Sequence, residues 1–272
     1  MSYYSFDSCT RVYYQLTEIS SSNPAILLLH GFMGNCNDFQ NCIPQLYSSF
    51  SCLTVDLPGH GKTQILGDES YYTISKTATI LICLLKDLNI SKVYLFGYSM
   101  GGRLALYLMI HYPQYFERVI LESASPGLRT DQERSQRFKV DINRAKQLES
   151  QDFKQFLINW YNQPLFHTLK SHSKFNEVLS RRLQNNPDEL AKSLRNMGTG
   201  IQPSLWKNLS KNKILLLLIV GQYDDKFIQI NQQMAALSQQ TTLKIIPNCG
   251  HNIHLENQEK WVNTILYFLA TT

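Results

Sequence analysis

The stretch Gly97-Tyr98-Ser99-Met100-Gly101 decides the fold because of the sequence on either side of it. An apolar run, Val93 to Phe96, precedes this stretch, and an alanine- and leucine-rich segment from Arg103 to His111 follows it. This order predicts a strand, a tight turn and a helix. Glycines on both flanks allow a turn sharp enough to place Ser99 on a strained elbow. The amides at the start of the helix would then face the region beside the Ser99 hydroxyl.

A second turn, His30-Gly31-Phe32-Met33-Gly34, directly follows the apolar run Ala25 to Leu29. A G-x-S-x-G sequence alone is also typical of an ordinary structural turn. The second turn favours a catalytic elbow instead. A His-Gly turn after an early strand resembles the place where α/β-hydrolases hold one oxyanion-hole amide, the other coming from the residue after the nucleophile. The backbone N–H groups of Phe32 and Met100 are therefore the candidates for that role.

Two later residues extend the pattern to a catalytic triad. Asp224 follows the apolar run Ile214 to Val220, and His251 follows another strand-like segment. The order Ser, Asp, His is the one found in the α/β-hydrolase fold. Asp225 and His254 are the alternatives. We rank them lower because Asp224 has the G-x-x-D spacing and His251 comes directly after a glycine.

Size and composition indicate a soluble globular protein rather than a membrane or secreted protein. The chain has 272 residues, 43% of them hydrophobic and 17% charged, which suits one α/β domain with an insertion. Its longest apolar run is far shorter than the ~20 residues that span a bilayer. Its first residues do not resemble a signal peptide. We therefore expect a cytoplasmic protein without a metal, whose cysteines are reduced packing residues (9, 36, 42, 52, 83 and 249).

The arginines are unevenly distributed. The net charge is +5, and nine of the ten arginines fall between Arg103 and Arg195. A solvated basic face is the common explanation of such a bias. Nucleic-acid binding would require basic and aromatic residues interleaved in a recognised module, which the sequence does not contain. Arginines close to a catalytic elbow instead favour an anionic substrate held by bidentate carboxylate contacts.

Strand and helix patterns divide the chain into a core and an insertion. Residues 1–25 resemble an antiparallel hairpin, and strand–loop–helix units then alternate to about Ser123, which predicts a mostly parallel sheet flanked by helices. Residues 127–206 lack strand alternation, and Pro164 and Pro187 interrupt their helices. We therefore expect an α/β core at 1–126 and 207–272, with residues 127–206 as a helical cap inserted after the sixth strand of the main sheet.

Helical periodicity and turn chemistry locate three more helices and one buried loop. A helix is predicted from Ile74 to Leu88, another near Gln229–Ser238, and a last one at Glu256–Leu269. His60 lies in a tight Pro-Gly-His-Gly loop after a strand. We interpret His60 as structural rather than as a second base.

Five motifs in sequence order carry a narrower resemblance. They are Tyr98-Ser99-Met-Gly-Gly-Arg103, Ser125-Pro-Gly-Leu128, Glu133-Arg134-x-x-Arg137, Trp160-Tyr-x-x-Pro164-Leu-Phe166 and Met197-Gly-Thr-Gly-Ile-Gln-Pro-Ser-Leu-Trp206. On these motifs the chain resembles the 2-succinyl-6-hydroxy-2,4-cyclohexadiene-1-carboxylate (SHCHC) synthases, enzymes of menaquinone and phylloquinone biosynthesis with the α/β-hydrolase fold. The resemblance covers essentially the whole chain. The motifs of the predicted cap are far narrower than the elbow, which the whole superfamily shares.

The resemblance implies an elimination rather than a hydrolysis. The family's substrate carries three carboxylates, a succinyl ketone and an enolpyruvyl ether, and loses pyruvate after removal of the proton alpha to the ketone. The implied anion-binding residues are Arg103, Arg137 and Arg182, with the adjacent Arg181 as the alternative to Arg182. Tyr98 and Trp160 would line the pocket, although Trp160 could equally be ordinary cap core.

The resemblance also implies a role for each triad member. Ser99, polarised by His251, would be the general base, and Asp224 would hold the imidazole. The Phe32 and Met100 amides could stabilise the developing oxyanion, and no cofactor is needed. A serine hydrolase of small esters, or of carbon–carbon bonds in dienoic ketones, is the alternative, since the same triad serves both. A non-catalytic receptor on this fold is the least favoured reading.

Overall fold

One sheet of nine strands runs through the computed structural model, which describes residues 2–17 and 24–270. The strands within those residues are β1 (Ser2–Asp7), β2 (Thr10–Leu16), β3 (Ala25–Leu29), β4 (Ser51–Val55), β5 (Gln64–Ile65), β6 (Val93–Tyr98), β7 (Phe116–Glu122), β8 (Leu215–Gly221) and β9 (Thr241–Ile246). Their order is β1-β2-β4-β3-β6-β7-β8-β9, with β5 paired to β2. Strands β1 and β2 form an antiparallel hairpin, as predicted, and the pairs from β4 to β9 are parallel.

Helices cover both faces of the sheet and fill the segment between β7 and β8. They are α1 (Ile43–Leu46), α2 (Ile74–Asp87), α3 (Met100–His111), α4 (Asp131–Ser150), α5 (Phe153–Tyr161), α6 (His167–Lys170), α7 (Phe175–Arg182), α8 (Pro187–Met197), α9 (Trp206–Leu209), α10 (Asp225–Ala235), α11 (Ile253–Glu256) and α12 (Gln258–Ala270). Residues 131–209 contain helices and turns and no strand. We call residues 127–206 the cap segment.

Burial of the central strands explains why their sequences are mostly apolar. Every side chain of β3 and β4 is buried, because parallel strands are covered on both faces. On one face, α2 contributes its buried stripe, including Ala78, Leu81 and Leu85. On the other face, α12 places the fully buried Trp261 against the sheet. The C-terminal ends of the strands are thereby held rigidly at one edge, which is where the elbow and the later turns lie.

Most predicted boundaries differ from the structure by a few residues, and one of the differences has a clear cause. The helix predicted near Gln229–Ser238 begins at Asp225, because Asp224 caps it by accepting a hydrogen bond from the Phe227 amide. The C-terminal helix predicted from Glu256 is α12, which begins two residues later, and the short helix α11 ends at Glu256. Pro187 interrupts the cap segment as expected, since it is the first residue of α8.

Three properties of the described residues bear on the sequence predictions: membrane crossing, the state of the cysteines and the contacts of His60. Within 2–17 and 24–270, no helix combines the length and the apolar character needed to cross a membrane. All six cysteines are free, and four of them are buried. His60 is also buried, and its Nδ1 lies 3.0 Å from the Pro58 carbonyl oxygen, to which it donates.

Candidate active site

Ser99 occupies a strained turn between β6 and α3. Its φ is 49°, in the left-handed region that a residue with a Cβ adopts only under constraint. The constraint comes from close backbone packing: a Cβ on Gly97 would lie 2.4 Å from the Gly101 carbonyl oxygen, and a Cβ on Gly101 would lie 2.4 Å from that of Leu29. Both positions therefore require glycine. The Ser99 amide donates a 2.8 Å hydrogen bond to the carbonyl oxygen of Glu122, which fixes the elbow to β7.

The structure brings Ser99, His251 and Asp224 into one hydrogen-bonded chain. The His251 Nε2 atom lies 3.1 Å from the Ser99 Oγ atom, and the His251 Nδ1 atom lies 2.7 Å from Asp224 Oδ2. The side chains of His251 and Asp224 are each 2% exposed. Because a carboxylate only accepts, Nδ1 carries the proton and Nε2 presents its lone pair to the Ser99 hydroxyl. This arrangement can take a proton from Ser99 as Ser99 takes one from a substrate.

The two alternative residues lie elsewhere. Asp225 is exposed on the first turn of α10. His254 is fully buried, and its Nδ1 lies 2.9 Å from the Glu122 carboxylate. Asp224, by contrast, divides its two oxygens between the His251 ring and the Phe227 amide. The hydrogen bonds to Ser99 and His251 are therefore made by the higher-ranked pair, Asp224 and His251, and not by Asp225 or His254 among the described residues.

The amides of Phe32 and Met100 are free to bind a ligand oxygen. Both residues line the same cavity as Ser99. Within residues 2–17 and 24–270, neither amide donates a hydrogen bond to another backbone or side-chain group. Met100 is also the first residue of α3, where the helix dipole favours negative charge. The pair thus has the donor character of an oxyanion hole.

A cavity of about 420 Å³ lies over Ser99, between the sheet edge and the cap segment. This volume falls in the range of small-molecule sites. Tyr98 is 5% exposed and forms part of the floor, and its ring lies 5.4 Å from that of His251. Trp160 lines the opposite wall and also packs on Phe32, with ring centroids 5.3 Å apart. Trp160 therefore belongs both to the cavity wall and to the cap core.

Arg103 lines this cavity and carries a charge that no acidic group pairs with in the described part of the chain. Its Nη1 donates to Gln202 Oε1 at 3.2 Å and its Nη2 to the Met197 carbonyl at 2.8 Å, and both acceptors are neutral. Burial, and then the nearby Arg137 charge, lower the pKa of Arg103 to about 10. The side chain is therefore positioned and cationic at neutral pH, with its charge available to an anion.

The other two predicted arginines differ from each other. The Arg137 Nε donates to Asp141 at 2.7 Å, and the residue also lines the cavity. Arg182 makes a bidentate pair with Asp38, at 2.7 and 2.8 Å, and its Nε donates to the Tyr161 hydroxyl at 3.3 Å. Asp38 and Arg182 are both almost fully buried. Arg182 also touches the cavity, but Asp38 already neutralises its charge.

Three cations that the sequence analysis did not single out also line the cavity: Arg129, Arg144 and Lys226. Arg129 lies over the Trp206 ring, 3.6 Å from its centroid, and donates to Gln233 Oε1 at 2.8 Å. Arg144 lies over the Trp160 ring, 5.2 Å from its centroid, and donates to Gln163 Oε1 at 2.8 Å. Lys226 lies on the first turn of α10. Burial, and then the Arg137 charge, lower the pKa of Arg144 and of Lys226. The seven-residue spacing of Arg137 and Arg144 on one helix, two turns apart, is the signal that could have revealed Arg144.

The parallel sheet, the strained elbow and the Ser–His–Asp contacts define a protein of the α/β-hydrolase fold. The family described as alpha/beta hydrolase fold matches residues 24–258. Among solved structures, MenH from S. aureus is 35% identical, with a TM-score of 0.90, covering 94% of this chain and 97% of that one.

Two sequence relatives narrow the assignment. A 2-succinyl-6-hydroxy-2,4-cyclohexadiene-1-carboxylate synthase of Escherichia coli O1:K1 / APEC is 32% identical, over 86% of this chain and 89% of the relative. A Bacillus subtilis (strain 168) protein that carries the same name provisionally is 33% identical over 92% of each chain. This chain belongs to the SHCHC synthase family.

Proposed function

We propose that this protein is a lyase that eliminates pyruvate from 2-succinyl-5-enolpyruvyl-6-hydroxy-3-cyclohexene-1-carboxylate and forms SHCHC, in menaquinone or phylloquinone biosynthesis. The observation that carries the proposal is the combination, in one cavity, of the Ser99–His251–Asp224 contacts with arginines whose charge has no acidic partner among the described residues. A substrate with several carboxylates would supply the missing negative charge.

The proposed reaction is a proton abstraction followed by loss of a leaving group. Ser99 Oγ removes the proton alpha to the succinyl ketone as its own proton passes to His251 Nε2, and the electron pair moves onto the ketone oxygen. The amides of Phe32 and Met100, which line the same cavity as Ser99, would stabilise that oxyanion. When the ketone re-forms, the enolate electron pair makes the C2–C3 double bond, the ring double bond at C3–C4 shifts to C4–C5, and the carbon–oxygen bond from C5 to the enolpyruvyl group breaks. The departing enolate regains the proton from His251 and becomes pyruvate, so no acyl-enzyme forms.

The cap segment is proposed to supply the specificity. Residues 127–206 would act as an inserted cap on the core formed by 1–126 and 207–272, and would contribute Arg137, Arg144 and Trp160 to the cavity. Core residues Arg103 and Lys226 add positive charge from the other side. We assign the carboxylate contacts to Arg103 and Arg137, with Arg144 and Lys226 strengthening the field. Asp38 is proposed to hold Arg182 in position. Arg182 would then touch the ligand only through guanidinium N–H groups that do not donate to Asp38.

Hydrolysis is the second candidate, because the same triad activates a nucleophilic serine in esterases. The test is to incubate the purified protein with the enolpyruvyl substrate and to measure pyruvate and the diene absorbance together. We expect equal amounts of the two products, without covalent modification of Ser99. Hydrolysis of neutral esters with no pyruvate from the enolpyruvyl substrate would overturn the lyase proposal and favour the esterase.

A further inference from the structure

Glu122 ends β7 and is fully buried, and it does not line the cavity. Its Oε1 atom accepts hydrogen bonds from the Ile253 amide at 2.7 Å and from His254 Nδ1 at 2.9 Å. Its Oε2 atom accepts from Trp261 Nε1 at 2.7 Å. A buried carboxylate is stable only when its oxygens are satisfied in this way. Glu122 therefore connects the end of a central strand to three groups of the C-terminal segment.

The main chain of Glu122 contacts the other half of the site. Its carbonyl oxygen accepts the 2.8 Å hydrogen bond from the Ser99 amide. Ile253, which donates to the Glu122 side chain, is only two residues from His251. One residue thus holds the serine elbow through its backbone and the histidine loop through its side chain. The two segments that it joins are separated by about 150 residues of sequence, since the Ser99–His251 contact spans 152 positions.

We propose that Glu122 is a positioning residue that sets the distance and angle between Ser99 and His251, a proposal that rests on the roles proposed above for those two residues. His254 takes part by donating from Nδ1, which orients the turn following His251. Trp261 completes the set by anchoring the carboxylate to α12. Misplacing a catalytic group by about 1 Å can cost a factor of 10² in rate, so the effect of this network on turnover should be large.

Only a carboxylate satisfies all the donors around it. If glutamine replaced Glu122, its amide nitrogen would have to take the place of one carboxylate oxygen. At the Oε1 position it would face the Ile253 N–H and at the Oε2 position the Trp261 indole N–H, a group that cannot accept. Either orientation brings two donors together, although the side chain has the same size. Glu122→Gln therefore disturbs the hydrogen bonds with almost no change in volume.

The experiment compares Glu122→Gln with two matched variants of the intact enzyme. Ile120→Ala removes packing from the same strand and the same face, since Ile120 is two residues away and fully buried, but it touches none of these hydrogen bonds. His254→Asn keeps a donor near the Nδ1 position, and His254→Leu removes it. The readouts are kcat, KM, Tm, and the low-field proton resonance of the His251–Asp224 hydrogen bond, identified by its loss in His251→Ala.

We expect Glu122→Gln to lower kcat about 10²-fold with KM changed less than about threefold. The low-field resonance should shift or disappear in this variant, and it should persist in Ile120→Ala even at a similar loss of Tm. His254→Asn should retain more of the wild-type kcat than His254→Leu.

Two results would overturn the proposal: an unchanged resonance in Glu122→Gln, or a kcat loss no larger than that of Ile120→Ala. The resonance needs no substrate, so it tests the positioning even if the wild-type protein releases no pyruvate. Absence of pyruvate would count against the proposed function alone.

Discussion

The two walls of the cavity differ in how their polar and charged groups are paired. The core wall, formed by Ser99, Asp224 and His251, pairs each polar group with the next at 2.7 to 3.1 Å. The cap wall includes Arg129, Glu133, Arg137, Arg144, Trp160 and Gln163. Of its three cations only Arg137 is paired with a carboxylate through its side chain, that of Asp141. The core wall is thus complete before any ligand enters, whereas the cap wall has an excess of positive charge. We propose that the core wall supplies the reactivity, and that the cap wall supplies the substrate choice together with Arg103 and Lys226 of the core.

Arg182 lies in the cap segment but does not add to the excess of positive charge, because its charge is paired. It touches the cavity, yet its bidentate partner is Asp38 of the core. Because both groups are buried, the pair joins the two parts of the chain at one point. The five predictions below test this division, from the largest expected effect to the smallest.

Removing the Ser99 hydroxyl or the His251 imidazole should lower kcat by on the order of 10² to 10⁴, the usual range for general acid–base groups. Steady-state pyruvate release by Ser99→Ala and His251→Ala measures this effect. Circular dichroism serves as the folding control. Near-wild-type turnover in a folded variant would mean that the base lies elsewhere. His254 would then be the next candidate for the catalytic histidine.

Arg182→Ala should act mainly on stability, since it removes the bidentate partner of the buried Asp38 carboxylate and leaves Arg181, whose Nη2 lies 3.8 Å from Asp38 Oδ1, as the remaining ion-pair partner. Breaking a buried pair in this way costs about 3–5 kcal/mol of unfolding free energy. Chemical denaturation measures the loss. The double variant Asp38→Ala with Arg182→Met should lose less, because neither charge is then left alone. A stable Arg182→Ala variant with a large rise in KM would instead make Arg182 a direct substrate ligand.

The same pair gives a pH dependence with a defined sign. Burial alone would raise the pKa of Asp38, but the Arg182 charge outweighs it and lowers the pKa below its ordinary value of 3.8. The ionised carboxylate therefore stabilises the folded state above that value, and this contribution is lost as the pH falls below it. The stability difference between wild type and Arg182→Ala should accordingly narrow on acidification. A constant difference from pH 7 to pH 3 would argue against an ionic pair.

Arg103→Ala and Arg137→Ala should each reduce kcat/KM for the enolpyruvyl substrate by about 10- to 150-fold, which corresponds to a charged hydrogen bond of about 1.5–3 kcal/mol. Lysine should restore only part of the loss because it lacks the planar fork. Hydrolysis of a neutral test ester, where it is measurable, supplies the matched comparison and should change little. Equal losses on both substrates would indicate damaged packing rather than a lost carboxylate contact.

Thr130→Ala should give the smallest effect. It tests how strongly the start of α4 influences the cap wall. Thr130 caps α4, the helix that carries Arg137, through a reciprocal pair with Glu133. Its loss should cost about 1 kcal/mol of stability. Thermal unfolding reports that cost, and kcat/KM should remain within about twofold of wild type. A large fall in kcat/KM would mean that the position of Arg137 depends on an intact first turn of α4.

Local sequence patterns predicted the core wall well, since short-range sterics and turn chemistry decide it. The glycines around Ser99 permit only a sharp turn, and the apolar runs before Ser99, Asp224 and His251 are strands that end at the same sheet edge. The order of these elements along the chain therefore suffices to predict which side chains meet. The family assignment also followed from the sequence, because the cap motifs are specific and the relatives confirm it.

The partners of charged and buried groups were decided only by the tertiary structure. Asp38 and Arg182 are 144 positions apart, and nothing in either local sequence indicates that they pair. Glu122 sits at the end of an ordinary apolar strand, and its link to the His251 loop exists only because β7, α11 and α12 pack together. A residue's type and spacing determine which interactions it can make. The fold determines which one it does make, because the charges and donors brought next to it come from distant parts of the chain.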